Sequence, residues 1–371
     1  MLNCNTIYVD QKIRIIRMEN WFGLGKYTPE CESFNKKLQE SFNEKKTYLF
    51  YQFNMCVNEK NIEYILDNYI TKHLISSKLD FDNIIMECPT TYVLDYIQNN
   101  TKFNCILCNH NSMLDYRCYY FNNIDKIYDV VMNARPVKFK NLHLSEKLSN
   151  IAYIKGPGNE YPYWEKNYSF MNEIPDMGPR KVGYINNMSK VGLCLSYREG
   201  ACYASSEFLL SGIPVVSVKS EGGRDVFYNN YNSIIVETDN KSDEQLKKDI
   251  KKAVDDLKNI QKDSDKIRHD HIIISDNHRT NFINAMQKIF DENKLNYDSN
   301  LFFHQQYFQK MIYNEWSEKG LTIDKIIKQM DDTNYFHIRE RQNCYNYDLK
   351  LSPFYYEHNE DKWYMENGSI K

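Results

Sequence analysis

The clearest pattern of apolar and polar positions lies in residues 197–236. It predicts a loop, a helix, a buried strand, a Gly-Gly turn and a second strand. Gly212 stands where the helix would end, and Pro214 follows two residues later, as is common beyond a helix C-terminus. The apolar run 213–218 contains three valines and is typical of a strand covered on both faces. Gly222 and Gly223 would let the backbone approach a ligand where a side chain would clash.

Strands and helices also alternate in the N-terminal part of the chain. Apolar residues at every fourth position, Phe34, Leu38 and Phe42, predict an amphipathic helix, as does the apolar stripe in 62–70. The aromatic segment 47–55 favours a strand. The predicted strands are 12–17, 47–55, 83–86 and 103–108, and the predicted helices are 34–42, 62–70 and 92–98.

A second alternation begins near Lys126. Ser242 and Gln245 have the spacing of a capping box, which predicts the start of a long helix. Residues 155–182 contain four prolines and are expected to be mostly irregular. The predicted strands are 126–132, 150–154 and 190–196, and the predicted helices are 139–148, 242–260 and one or two within 267–292; helix signals at 301–316 and 323–330 precede an aromatic, polar tail.

These patterns predict an α/β protein in which helices cover the faces of parallel sheets. We expect two successive α/β units, with no internal sequence repeat and a boundary between about 110 and 125. A chain of 371 residues is long enough for two domains with separate cores.

Composition narrows the functional classes. A net charge of −3 and a pI near 6.3 give no general attraction to nucleic acid. Ten cysteines in a chain of this length do not form a disulfide framework. The N-terminal residues lack the apolar core of a signal peptide, and no window resembles a transmembrane segment. We therefore expect a soluble, cytoplasmic protein, and contact with a membrane surface stays open.

Two carboxylates in the central segment carry the candidate chemistry. Glu199 and Glu207 would be about 12 Å apart along a full helix, too far to act on one atom. If Glu199 lies in the loop before the helix, the pair can hold two ends of an extended ligand, since carboxylates accept hydrogen bonds from sugar hydroxyls. The helix N-terminus favours an anion. Arg135 and Lys140 follow an earlier strand and could reach a diphosphate at the carboxyl edge of the same sheet.

The alternative for Glu199 and Glu207 is that both are solvated surface charges. For an isolated pair at this spacing, that interpretation would be preferred. The Ser-Gly-Ile-Pro turn, the Gly-Gly loop and the upstream Arg135 and Lys140 favour a binding site instead.

The same residues resemble the nucleotide-sugar half of GT-B glycosyltransferases, particularly family 4 with its E-x7-E motif. The resemblance covers about 105–290, is only compatible over 1–104 and is absent over 295–371. Two departures lie in the motif: Cys202 stands near the usual Phe-Gly, and Leu209-Leu210-Ser211 replaces Ala-Met-Ala. The matching segments are Glu199-Gly200-Ala201-Cys202, Glu207-Phe208-Leu209-Leu210, Gly212 to Val216, Ser220 to Gly223, Asn232 to Val236, Asn109 to Asp115, Met132 to Arg135 and Lys138 to Leu142.

The resemblance implies a GT-B architecture with two Rossmann-like domains facing a cleft. It places an acceptor-side domain at 1–115, a nucleotide-sugar domain at 116–280, and a helical and irregular extension at 281–371 that packs back on the first domain. It also implies retaining transfer without a metal or other cofactor. The partners would be a nucleotide-sugar donor and a sugar-bearing or hydroxyl acceptor.

By the same resemblance, Glu199, Arg135 and Lys140 would be the catalytic residues, with Glu199 near the donor sugar and the two cations on the leaving diphosphate. Glu207 would hold the ribose. The backbone of four further residues would line the donor site: Gly200, Ala201, Gly222 and Gly223. Gly23 and Gly25 mark either an acceptor-side loop or an ordinary turn.

Two other functions stay open. An epimerase or a phosphorylase acting on the same fold would keep the donor site and change the reaction. A nucleotide-sugar or glycan-binding protein without turnover would keep only the binding residues.

Several motifs are interpreted as chance or as structural. Two D-x-D sequences, at Asp80 and Asp263, resemble a metal motif of a different glycosyltransferase fold. Cys105 and Cys108 form an isolated C-x-x-C, for which a zinc site would need a second pair. His110 is expected to be a hinge residue. Three histidines in the last long helix are expected to be solvated: His269, His271 and His278.

Overall fold

The computed structural model describes residues 3–19, 40, 44–53, 56–67, 80–114, 116–121, 124–156, 170–175, 179–297, 299, 354–357 and 362–365. The chain divides into two compact units. The first contains the described residues of Met1–Met113 and Asn277–Asn343, and the second those of Leu114–Asp276 and Cys344–Lys371. The domains expected from the sequence were 1–115, 116–280 and 281–371. Gly23, Gly25 and the helices predicted at 301–316 and 323–330 lie outside the described residues, as does most of 34–42.

Among the described residues, the first unit has a five-stranded sheet in the order β1-β2-β3-β4-β5. Strands β1 and β2 are antiparallel, and the remaining neighbours are parallel. Helix α1 (Ile62–Ile65) precedes β4, and helix α2 (Thr91–Asn100) connects β4 to β5. The strands are β1 (Asn3–Val9), β2 (Ile13–Glu19), β3 (Lys46–Gln52), β4 (Ile84–Cys88) and β5 (Asn104–Leu107).

The core of the first unit forms where one face of this sheet meets α2. Val93 and Ile97 lie four positions apart on α2 and are both fully buried against the strands. Thr90 caps the helix, since its hydroxyl accepts a hydrogen bond from the Val93 backbone N–H at 3.3 Å.

The described part of the second unit has a six-stranded sheet in the order β11-β10-β9-β6-β7-β8, and all of its strand pairs are parallel. The strands are β6 (Tyr128–Ala134), β7 (Ile151–Lys155), β8 (Met171–Pro175), β9 (Ser189–Cys194), β10 (Val215–Val218) and β11 (Ser233–Val236). Its helices are α3 (Pro179–Asn187), α4 (Tyr203–Leu210) and α5 (Asp243–Lys258), and α6 (Ser264–Glu292) contains the boundary between the units. The second unit is thus a Rossmann-like parallel sheet with helices, and the predicted α/β class is confirmed for both units, consistent with a GT-B architecture.

Helix α5 forms as its sequence predicts. The Ser242 hydroxyl accepts a hydrogen bond from the backbone N–H of Gln245 at 3.3 Å. The helix buries one apolar stripe on the sheet, made of Leu246, Ile250, Ala253, Val254 and Leu257.

Helix α4 is held close to β9 by a glycine. A Cβ on Gly192 would lie 2.3 Å from the ring of Phe208, so only a glycine permits this approach of helix and strand. The helix ends in a Schellman motif: the Gly212 N–H bonds to the Leu209 carbonyl and the Ile213 N–H to the Phe208 carbonyl. Gly212 has a φ of +72°, as this motif requires. The predicted end of the helix at Gly212 is confirmed.

The strand predicted at 12–17 is confirmed as β2 (Ile13–Glu19). An additional strand, β1 (Asn3–Val9), precedes it, and Asp10 to Ile13 form a turn that pairs the two segments as a hairpin. One predicted element is wrong. The segment 139–148 is not an α-helix but two 3-10 turns, Lys138–Lys140 and Leu142–Ser145, because Asn141 between them has a φ of +50°. The described residues of 155–182 include β8 and the start of α3, and 157–169 and 176–178 lie outside the described residues.

Candidate donor-binding site

The candidate site lies at the carboxyl ends of three neighbouring parallel strands of the second unit. Strand β6 leads to Arg135, β9 leads to Ser196 and Glu199, and β10 leads to the Gly222-Gly223 turn. These strands lie side by side in the order β10-β9-β6. The carboxyl edge of such a sheet is where open α/β folds bind ligands.

Glu199 lies in the loop before α4 and forms an ion pair with Lys140. The Lys140 ammonium donates to Glu199 Oε1, and the hydroxyl of Ser196 donates to Glu199 Oε2. Both charged side chains are largely buried, with 11% of Lys140 and 17% of Glu199 exposed. The 3-10 turn Lys138–Lys140, found where the sequence predicted the start of a helix, places Lys140 beside this carboxylate.

The surroundings keep both groups of this pair charged. Burial alone would lower the pKa of Lys140, but its interactions, including the ion pair with Glu199, outweigh burial and raise that pKa. Burial alone would raise the pKa of Glu199, but Lys140, Ser196 and Arg224 outweigh burial and lower it. The pair is consequently ionised at neutral pH.

A fully buried arginine, Arg224, lies behind this pair. Its Nη1 donates to Ser196 Oγ at 3.0 Å, and its Nη2 donates to the carbonyls of Ser196 at 2.8 Å and Val218 at 2.7 Å. Its Nε donates to Ser217 Oγ at 3.1 Å. The guanidinium Nη1 is 4.0 Å from Glu199 Oε2. Arg224 thereby connects the ends of β9 and β10.

The Gly222-Gly223 turn packs directly on the Glu199 loop. A Cβ on Gly222 would lie 1.6 Å from the carbonyl oxygen of Glu199 and 2.7 Å from that of Gly200. Gly223 has a φ of +90°, in the left-handed region that favours glycine. The turn needs glycine at both positions, at Gly222 for space and at Gly223 for conformation.

Glu207 lies inside α4 and Glu199 in the loop before it, the arrangement in which the two carboxylates could hold two ends of an extended ligand. Glu207 Oε2 accepts a hydrogen bond from Asn133 Nδ2 at 2.8 Å, and its Oε1 accepts one from the Tyr119 hydroxyl at 3.4 Å. Asn133 belongs to β6, so the bond connects α4 to the end of that strand.

The remaining predicted residues surround this cluster. Arg135 directly follows β6 and has an exposed side chain, whereas Gly200 and Ala201 are buried at the approach to α4. Cys202 at the start of α4 has a φ of +56° and no side-chain capping bond. The structure thus brings Glu199, Lys140 and Gly222 into contact and attaches Glu207 to β6.

Four residues of this cluster were not predicted from the sequence: Tyr119, Asn133, Ser196 and Arg224. Asn133 and Arg224 are adjacent to predicted elements, since Asn133 is two residues before Arg135 and Arg224 follows Gly223. Their roles depend on contacts with residues 74 and 28 positions away, respectively, which a local pattern does not contain.

The secondary motifs have structural roles. Asp80 and Asp263 each accept a hydrogen bond from the backbone N–H two residues later, as turn-forming aspartates do. The prediction of solvated histidines is wrong for two of the three: His271 is 1% exposed and His278 is 5% exposed, because α6 packs these positions inward. His269 is exposed.

Membrane-spanning helices and clustered metal ligands are both absent from the described residues. No helix there has the length and apolar character to cross a membrane. No group of three or more His, Cys, Asp or Glu side chains in those same ranges could hold a metal ion.

Comparisons with known proteins bear on this site. The family model described as glycosyl transferases group 1 matches residues 170–269. This range includes Glu199, Glu207, Gly222 and Arg224, and it excludes Lys140. No curated protein sequence matches the chain.

Several solved structures are similar at low identity. A structure of the GtfA/B complex has a TM-score of 0.49 and 12% identity, over 69% of this chain and 55% of that one. TarM has a TM-score of 0.46 and 17% identity, over 66% of this chain and 53% of that one. HepE of Anabaena, in complex with UDP, has a TM-score of 0.48 and 13% identity, over 71% of this chain and 76% of that one. The chain thus spans about half the length of the first two proteins.

The family match covers the residues that follow β9 and β10, where the ion pair, the buried arginine and the Gly-Gly turn meet. The matched range thus contains the ends of β9 and β10 and the loops that follow them.

Proposed function

We propose that this chain is a glycosyltransferase whose second unit binds a nucleotide-sugar donor at the carboxyl ends of β6, β9 and β10. The observation that carries the proposal is the buried Lys140–Glu199 pair beside the Gly222-Gly223 turn. Buried charges are costly and persist where a partner or a function retains them. The acceptor would be a sugar-bearing or hydroxyl compound.

The proposed mechanism assigns the leaving diphosphate to cations of the protein. Lys140 has three N–H donors, one of which is directed at Glu199, and Arg135 has an exposed guanidinium at the end of β6. Cations placed where negative charge develops stabilise the transition state. No metal is required in this scheme, so EDTA should leave turnover unchanged. Retention of configuration is part of the same proposal, and it is tested by the anomeric configuration of the product.

Glu207 is proposed to bind the ribose of the donor. Asn133 and Tyr119 fix its carboxylate, and carboxylate oxygens accept hydrogen bonds from neighbouring hydroxyls such as those of a ribose. Glu199 would contact the donor sugar, and the backbone at Gly200, Ala201, Gly222 and Gly223 would border it. The two glutamates would then hold opposite ends of the donor.

Thermal unfolding in the presence of UDP-, GDP-, ADP- and dTDP-sugars tests the proposal. A ligand that binds only the native state stabilises it by mass action and so raises the Tm. At a free ligand concentration of a hundred times Kd, the free energy of unfolding increases by about 2.7 kcal/mol. We expect one nucleotide class to raise the Tm of the wild type and to have a much smaller effect on Glu207→Ala. Glu146→Ala, which removes a partly exposed carboxylate of the same unit, is the matched control and should respond like the wild type.

The outcomes separate the alternatives. Absence of a shift with all four classes would contradict donor binding. Binding followed by conversion of the donor without an acceptor would indicate an epimerase, and a requirement for inorganic phosphate would indicate a phosphorylase. Binding without product in any acceptor mixture would indicate a binding protein.

A further inference from the structure

A single hydroxyl connects the buried arginine to the proposed donor site. Ser196 Oγ accepts a hydrogen bond from Arg224 Nη1 at 3.0 Å and donates one to Glu199 Oε2. A guanidinium has donors and no acceptor, so the Ser196 proton is directed away from Arg224 and toward the carboxylate. Arg224 therefore fixes the direction of the hydrogen bond that Glu199 receives.

The same guanidinium also fixes the backbone on both sides of the site. Its Nη2 bridges the carbonyl of Ser196, beyond the end of β9, and the carbonyl of Val218, the last residue of β10. The loops that continue from these two points carry Glu199 and Gly222, which are in contact through the Glu199 carbonyl. One side chain thus determines the separation of two loops at their origins.

The cost of burying Arg224 supports a specific role. Its side chain is 0% exposed, although an arginine is rarely buried completely. The nearest carboxylate oxygens are at 3.9 Å on Asp225 and 4.0 Å on Glu199, so its close contacts are the neutral oxygens of Ser196, Ser217 and Val218. An apolar residue would fill this position at a lower desolvation cost.

We infer that Arg224 is a positioning residue of the donor site, which holds Glu199 in place through Ser196 and joins the Glu199 loop to the Gly222-Gly223 turn. The positioning of Glu199 follows from the contacts alone, whereas its effect on donor binding rests on the proposed function. Arg224 acts through Ser196 and does not itself contact the ligand in this scheme.

A pair of matched serine variants tests the inference. Ser196→Ala removes the hydroxyl between Arg224 and Glu199 and leaves the two carbonyl contacts of Arg224 in place. Ser217→Ala removes a different buried hydroxyl that contacts Arg224 Nε and has no contact with Glu199. Arg224→Lys is the third variant; because a buried arginine is exchanged, the serine pair decides the result if this protein does not fold.

The first measurement does not need a nucleotide sugar. Each folded variant is treated with acetic anhydride at limiting concentration, and the acetylation of Lys140 is followed by mass spectrometry. Only the neutral amine reacts, and a carboxylate held against Lys140 keeps it protonated. If Glu199 is released, a fall of one unit in the Lys140 pKa would raise the rate about tenfold. Lys155, which pairs with Glu173 at 3.0 Å in the same unit, is the internal reference.

We expect Ser196→Ala and Arg224→Lys to accelerate acetylation of Lys140 about tenfold relative to Lys155, with Ser217→Ala close to the wild type. Equal rates in wild type and Ser196→Ala, or equal acceleration by both serine variants, would overturn the inference, because either result would show that Arg224 and Ser196 do not hold Glu199 specifically.

The second measurement is the Kd of UDP, GDP, ADP and dTDP-sugars for the same proteins. For a nucleotide sugar that the wild type binds, Ser196→Ala should weaken binding about tenfold, as expected for one hydrogen bond to a charged group, and Ser217→Ala should not. If the wild type binds none of the four, the proposed function fails and the acetylation result still decides the positioning role. If it binds one of them and Ser196→Ala binds equally well, the effect of positioning on the donor site is refuted.

Discussion

Replacing Gly222 by alanine tests whether the Gly-Gly turn is held against the Glu199 loop. The added methyl group would lie 1.6 Å from the Glu199 carbonyl oxygen, 2.6 Å from its carbonyl carbon and 2.7 Å from the Gly200 oxygen. All three atoms belong to the backbone, so no side-chain rotation relieves the overlap. The two loops must separate by about 1.8 Å to restore an ordinary contact of 3.4 Å.

The loss in free energy of unfolding caused by Gly222→Ala follows from the position of the two loops. They originate at β9 and β10, whose ends Arg224 bridges, so a separation of this size disturbs the buried hydrogen bonds at Ser196 and Val218. Overpacking of a tightly packed site costs about 1–3 kcal/mol, and a rigid backbone neighbour places Gly222→Ala near the upper value. For a unit of this size, about 3 kcal/mol corresponds to a fall in Tm of about 6–12 °C.

Differential scanning calorimetry of Gly222→Ala against Gly156→Ala measures this effect. A Cβ on Gly156 would lie 3.0 Å from Cγ of Arg135, an exposed side chain that can move, so this variant should lose less than about 1 kcal/mol. Nearly equal Tm values for the two variants would refute the close packing of the turn on the Glu199 loop. Under the proposed function, Gly222→Ala should also weaken donor binding, because the Glu199 loop would be displaced.

Two further predictions concern stability. Burial lowers the pKa of His278 from 6.5 to about 4, and the Asn109 N–H donates to its Nδ1 at 3.1 Å. As the pH falls, the unfolded chain binds the proton before the native protein does, so the free energy of unfolding should be highest above pH 6.5 and fall by up to about 3 kcal/mol as the pH drops to 4. Urea unfolding of the wild type and of His278→Gln across this range measures the contribution of His278 to this fall. Parallel pH profiles of the two proteins would contradict the prediction. Ser242→Ala should cost about 1 kcal/mol through loss of the α5 cap, and Ser242→Thr should restore most of it; a Tm equal to the wild type in Ser242→Ala would show that the cap is not used.

The elements around the site were predictable where the determining signal is local. Gly212 ends α4 because a left-handed residue closes the Schellman motif, and Ser242 begins α5 because its hydroxyl satisfies a free N–H. The apolar run 213–218 contains β10, all of whose residues are buried. These signals lie within a few residues of the feature that they determine.

The wrongly predicted helix involves a signal from a distant residue. Apolar spacing in 139–148 matches a helix, but the side-chain amide of Asn141 donates to the carbonyl of Leu195 at 2.9 Å, and Asn141 adopts a left-handed conformation. Two of the four prolines in 155–182 lie in regular elements, since Pro175 is the last residue of β8 and Pro179 is the first of α3, a position where its missing N–H costs nothing.

The site was predictable to a similar extent. Glu199, Lys140 and Gly222 were expected there through the resemblance, and the structure brings them together. Arg224 was not, because nothing in its neighbourhood along the chain indicates that its guanidinium is buried between two strand ends. Its partners Ser196 and Val218 are recognisable only once β9 and β10 are adjacent.

The buried pair and the buried arginine together suit a site that gains and loses an anion. Without a ligand, Glu199 neutralises Lys140, so neither charge is left unpaired in a poorly solvated position, which would cost several kcal/mol. In the proposed reaction, a diphosphate competes for Lys140, and Glu199 would then lose its partner. Arg224 remains 4.0 Å from Glu199 and cannot turn away, because three protein oxygens beyond the Ser196 hydroxyl also hold it. Lys140 can therefore change partners while the carboxylate keeps a positive charge and a hydrogen bond, which lowers the cost of each exchange.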